Sequence, residues 1–211
     1  MSTPPAPDDA CPSDHCAQVE TMDPGERSQR WMGMISAVMM VAGLTLGTFA
    51  AAWHGNDVIL TLTPSKVLRT SLATVGVTAL TMVLHEALHG LGMLACGARP
   101  RFGAGVMHTG LPYLFTTSEG HLFTRAQFLV IAALPNLLVN SALALLLLWG
   151  PHPSWWVVPL AFHLSGCVGD AWLCWAAAHE RPGTLIEDLR GGVRVHRLEV
   201  RLDRPGADPA S

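Results

Sequence analysis

Residues 70–95 read TSLATVGVTALTMVLHEALHGLGMLA. The stretch is long enough to cross a bilayer as one helix, which takes about 20 residues. Yet it holds three titratable side chains, His85, Glu86 and His89. An acid at the bilayer centre costs about 2.5–3.5 kcal/mol on insertion scales, so groups placed there are kept for a reason. Working outward, the gaps between charges locate the other spans. Trp31 to Trp53 is 23 residues without a charge, and Ala126 to Gly169 is a longer gap broken by Pro151-His152-Pro153. Four spans are expected, at about 31–53, 70–95, 126–149 and 154–178. The expected fold is an all-α membrane protein of about four transmembrane helices. A small extended or hairpin loop would join the second and third, and a short tail would follow the fourth.

The composition agrees. Half of the 211 residues are hydrophobic and 14% are charged, against about 25% charged in an ordinary soluble domain. A soluble cytosolic enzyme is excluded, and a net charge of −3 argues against a nucleic-acid partner. Five scattered cysteines form neither a disulfide framework nor a paired zinc ribbon. Residues 1–30, rich in proline, read as a disordered tail. Ala50-Ala51-Ala52 resembles a cleavage site, but the apolar run before it is too long for a signal peptide. Residues 58–63 and 193–202 read as extended, the latter within a C-terminal tail at 179–211. The Gly-, Pro- and aromatic-rich loop 97–118 is a hairpin candidate. Basic residues cluster before the first span, between the second and third, and after the fourth. The positive-inside rule therefore predicts a multi-pass cell-membrane protein with both termini and the 96–125 loop in the cytoplasm.

On a helix, residues i and i+4 share a face, so the imidazoles of His85 and His89 can meet one metal ion, with Glu86 beside them as base toward a metal-activated water. Zinc needs a third protein ligand. A further histidine at the metzincin spacing is absent, because that position is Ala95. Glu119 and Glu180 lie at the wrong depth. Asp170 and Glu86 are the only carboxylates in the four expected spans, and no Lys or Arg lies in any of them. His85, His89 and Asp170 fall roughly 15, 9 and 12 Å from the cytoplasmic ends of their helices at 1.5 Å per residue. The expected ligands are therefore His85, His89 and Asp170, holding one Zn²⁺ or another divalent ion such as iron or cobalt. His163, two turns before Asp170, could orient a ligand or relay a proton, or simply bond neighbouring helices. Pro135, Asn136 and Asn140 interrupt the third span and could shape a wet cavity or orient a bound peptide. Helix packing explains them equally well. Cys11, His15 and Cys16 make an incomplete zinc set.

HEALHG in one span, Leu134-Pro135-Asn136 in the next and SGCVGD in the last, followed by TLIEDLRGGVRVHRL at 184–198, resemble the zincin membrane peptidases, a family of small bacterial multi-pass proteins. The broader likeness is to site-2 intramembrane metalloproteases. The resemblance implies a zinc-dependent peptidase with metal on His85, His89 and Asp170 and Glu86 as catalytic base. Its partners would be the lipid bilayer and a membrane protein or peptide substrate. The alternative is a non-catalytic membrane protein using the same cluster for structure or metal sensing. Lipid hydrolysis would need the same activated water.

Overall fold

In the computed structural model the described residues are 16–53, 63–106 and 112–198. Four helical stretches are long and apolar enough to cross a membrane. They are α1 (Glu26–Trp53), α2 (Pro64–Ala95), α3 (Arg125–Trp149) and a fourth made of α4 (Ser154–Gly166) and α5 (Val168–His179). Local chemistry sets where each starts. Thr63 is extended and Pro64 takes the first helical position of α2, where its missing amide hydrogen costs nothing and its φ is already helical. Thr124 and Gln127 form a reciprocal capping box at the start of α3, satisfying two amides that would otherwise lack partners. Outward-facing leucines and valines, among them Leu72 and Val75 on α2 and Leu137 and Leu145 on α3, are exposed. That distribution suits lipid, where only helices and closed barrels satisfy the backbone.

Small residues bring the helices together. A Cβ at Gly43 of α1 would lie 2.8 Å from the Ala161 Cα of α4, and one at Gly47 would lie 3.1 Å from Val157 Cγ1. This is the small-xxx-small packing that replaces hydrophobic drive within a bilayer. Gly92 of α2 sits against Ile131 of α3 in the same way, with a would-be Cβ 3.1 Å from Ile131 Cγ1.

The all-α expectation is corrected by two β-sheets. One is the hairpin of β2 (Arg101–Val106) and β3 (Pro112–Thr117) between α2 and α3, inside the loop read as a hairpin candidate. The other is a four-stranded antiparallel sheet in the order β1-β6-β5-β4, of β1 (Cys16–Met22), β4 (Leu122–Thr124), β5 (Leu185–Leu189) and β6 (Gly192–Leu198). Here the tail reading of residues 1–30 also needs correction over its described part, residues 16–30. β1 pairs with β6, Val19 opposite His196 and Thr21 opposite Arg194, and α1 begins at Glu26, ahead of the uncharged run. Isolated, β1 has too little apolar surface to fold; the partner strand lies far away in sequence. The extended reading at 193–202 coincides with β6 up to Leu198; 199–202, like 58–62, Cys11 and His15, lie outside the described residues. Residue pair Arg190-Gly191 turns β5 into β6, with Gly191 at φ 91°, a conformation suited to glycine.

The sheet is tied to the helix ends. Phe123, Ile186, Val193 and Val195 share one core with Met93, Phe128, Ile131 and Ala177. Arg197 clamps Glu180 through Nε at 3.0 Å and Nη2 at 2.8 Å, which holds that carboxyl below its usual range. Since β1 precedes α1, β4 precedes α3, and β5 and β6 follow α5, this sheet gathers three parts of the chain at one end of the bundle.

Candidate metal centre

His85 and His89 lie one turn apart on α2 and are 6% and 9% exposed. Their Nε2 atoms are 3.1 Å apart. The fourth span breaks at Cys167, and Asp170 falls in the first turn of α5, where the positive end of the helix favours a carboxylate. Asp170 Oδ2 is 3.1 Å from His85 Nε2 and Oδ1 is 3.5 Å from His89 Nε2. Tetrahedral ligands of a zinc ion, each about 2.0–2.2 Å from it, stand roughly 3.3–3.6 Å apart. The three side chains are within a few tenths of an ångström of that spacing and could hold one metal ion.

Hydrogen positions, assigned from the bonding network, sharpen this. The Asn140 amide nitrogen donates to Asn136 Oδ1, which leaves Asn140 Oδ1 as acceptor for His163 Nδ1–H at 2.8 Å. His163 Nε2 then carries a lone pair and accepts from His85 Nδ1–H at 3.0 Å. His89 Nδ1–H donates to the carbonyl of Ile131, also at 3.0 Å. Each ring has spent its hydrogen on the far side, so both Nε2 atoms offer lone pairs to Asp170. The buried Asp170 Oδ2 has no hydrogen-bond partner among the described residues. With both imidazole hydrogens on the far side, the lone pairs of the two Nε2 atoms and of Asp170 converge on one point, which suits a bound cation. The residues fit a divalent metal with two imidazoles and a carboxylate. His85, His163 and Cys167 form a second convergence, but the imidazole nitrogens there are joined by a hydrogen bond and no carboxylate takes part.

Glu86 follows His85 on α2, and its Oε2 accepts a hydrogen bond from Thr116 Oγ1 of β3 at 2.8 Å. The glycine of HEALHG lets the hairpin approach: a Cβ at Gly90 would lie 2.5 Å from the Phe102 ring. Glu86, His89, Asp170 and Thr116 line one cavity of about 380 Å³, whose other walls include Trp172 and the β5–β6 turn.

The family described as "putative zincin peptidase" matches residues 78–185, just over half of the chain. The chain belongs to this family. The zincin peptidase match takes in His85, Glu86, His89, Asn136, Asn140, His163 and Asp170, and leaves α1, β1 and β6 outside. Membership implies zinc. Searches of curated proteins and of solved structures give no match.

The structure thus brings together His85, His89, Asp170 and Glu86. Asn136, Asn140 and His163 form a chain behind His85 and do not line the cavity. Glu180, engaged by Arg197, and the exposed Glu119 are remote. Sequence reasoning missed Thr116, the Ile131 carbonyl and Asp188. Asp188 lines the cavity from β5, is 7% exposed and has no partner for Oδ2 among the described residues. Burial pushes its carboxyl up to about 7, against a hydrogen bond from Thr117 that acts the other way. The sequence marked it only as the second of two adjacent acids, Glu187 and Asp188.

Proposed function

We propose that this protein is a zinc-dependent peptidase that cleaves a peptide bond within or just outside the membrane. His85, His89 and Asp170 would hold one zinc ion, with Glu86 as general base. The observation that carries this reading is the convergence of His85 Nε2, His89 Nε2 and the Asp170 carboxylate beside a cavity that His89, Asp170 and Glu86 line. A zinc ion bound there supplies a Lewis acid and an acidified water. Glu86, steadied by Thr116, takes the proton from the attacking water and passes it to the leaving amine. His163 and the Ile131 carbonyl keep the two ligand imidazoles in the tautomer that presents Nε2. Met93, Phe115, Phe128 and Trp172 line the cavity with apolar surface, which suits a hydrophobic segment and limits access of bulk water.

A helical substrate hides its carbonyls in hydrogen bonds and must unwind before cleavage. β3 pairs with β2 on one side, and its residues 114–117 border the cavity. An unwound segment adding as a strand to β3 would lie beside Glu86. Turnover unaffected by prolines placed along β3 would count against this pairing. The sheet-bearing end, which carries Arg101, Arg125, Arg181 and Arg190, is read as cytoplasmic by its basic residues.

The test is Glu86→Gln. In detergent micelles with a library of fluorogenic apolar peptides, the wild type should cleave a subset. The variant should keep its zinc and cleave none. Equal turnover by both would remove Glu86 from the chemistry.

A further inference from the structure

Pro135 lies fully buried in the middle of α3, where proline is unfavourable because it cannot make the amide bond to residue i−4. That residue is Ile131. The carbonyl that Pro135 leaves without its helical donor is the one that accepts His89 Nδ1–H at 3.0 Å. Gly92, one turn after His89, lets α3 come close enough for the contact. The two ligand histidines are thus held differently: His85 by a side chain, His163, and His89 by a backbone carbonyl. Only the second arrangement depends on a gap in the α3 ladder.

We infer that Pro135 is a positioning residue, which by withholding an amide hydrogen frees the Ile131 carbonyl to fix the His89 tautomer with Nε2 toward the metal centre. The inference rests on the zinc reading above. An amide at position 135 would draw the Ile131 carbonyl back along the helix axis and weaken its bond to the imidazole. With that restraint loosened, the His89 proton can move to Nε2, where it blocks the ligand lone pair.

The experiment uses the full chain in detergent, with histidine labelled by ¹⁵N. Metal-free wild type should show His89 protonated at Nδ1 in long-range proton–nitrogen correlation spectra. In Pro135→Ala that proton should redistribute to Nε2, and zinc affinity, measured by chelator competition, should fall about 10–100-fold, the usual loss when a ligand's orienting partner is removed. A melting curve beside it checks folding, since the helix bond gained and the buried ring volume lost act in opposite directions. Pro159→Ala serves as comparison: it relieves a proline inside α4 and should leave zinc affinity within twofold. Zinc affinity unchanged in Pro135→Ala, an equal loss in Pro159→Ala, or His89 unprotonated at Nδ1 in the wild type would each overturn the inference. That last reading needs no variant, so it stands even if Pro135→Ala fails to fold. A wild type that binds no zinc would defeat the metal reading instead, while the His89 proton still decides the role of Pro135.

Discussion

Replacing His163 with leucine should loosen zinc without emptying the core. His163 is 1% exposed, and leucine fills most of its space while removing both ring nitrogens. Two hydrogen bonds disappear: His85 Nδ1–H to His163 Nε2 at 3.0 Å, and His163 Nδ1–H to Asn140 Oδ1 at 2.8 Å. Side-chain bonds inside membrane proteins are worth about 0.6 kcal/mol each on average, and a buried polar group left unpaired costs about 1–3 kcal/mol. With His85 Nδ1–H and Asn140 Oδ1 both losing a partner, the loss of stability should lie between about 1 and 6 kcal/mol. Zinc binding should suffer separately, because His85 no longer has a partner that keeps its proton on Nδ1. A loss of about 10–100-fold is expected. The assay is zinc titration against a chromophoric chelator in detergent, with a melting curve beside it. Asn140→Leu alone and with His163→Leu should show clear non-additivity, since both act through one chain. Zinc affinity within twofold of wild type, in a variant whose melting curve shows the network broken, would refute the orienting role.

Asp188→Asn should stabilise the protein at pH 8. Burial raises the folded-state pKa from 3.8 to about 7, so the native state holds the proton more tightly and wild-type stability falls as pH rises through that window. The difference should be on the order of a few kcal/mol above pH 7 and vanish below about pH 4, as melting curves across pH would show. Gly43→Val should destabilise by about 1–3 kcal/mol, because the new side chain meets the backbone of α4. Gly33→Val, with open space around it, should not. Proline at Leu114 or Phe115 should abolish cleavage at the position whose amide points away from β2, with zinc retained.

The site was more legible than the sheet. Asp170 could be matched to His85 and His89 because a spanning helix converts residue number into depth, and charged groups are so scarce in the spans that few pairings exist. The apolar gaps located the four membrane helices for the same reason. β5 offered no such pattern: Leu185-Ile-Glu-Asp-Leu carries two adjacent acids, and both are buried. Glu187 is acceptable there because Gly120 N, Arg194 and His196 all meet it, partners that come from β6 and a turn. β4 has three residues and owes its place to β5 and to the cap it provides for α3. Gly43 and Gly47 lie four residues apart in the first span, but only the fold shows that they meet Ala161 and Val157 of α4. Pro135 drew notice as a break in a helix, while the carbonyl it frees became meaningful only once α2 lay alongside.

Metal content of the detergent-purified protein, prepared without chelator, bears most directly on the centre built by His85, His89 and Asp170. About one zinc per chain is predicted for the wild type, and it should be lost in both His85→Ala and Asp170→Ala. A metal-free wild type, or zinc retained without Asp170, would contradict the proposed ligand set.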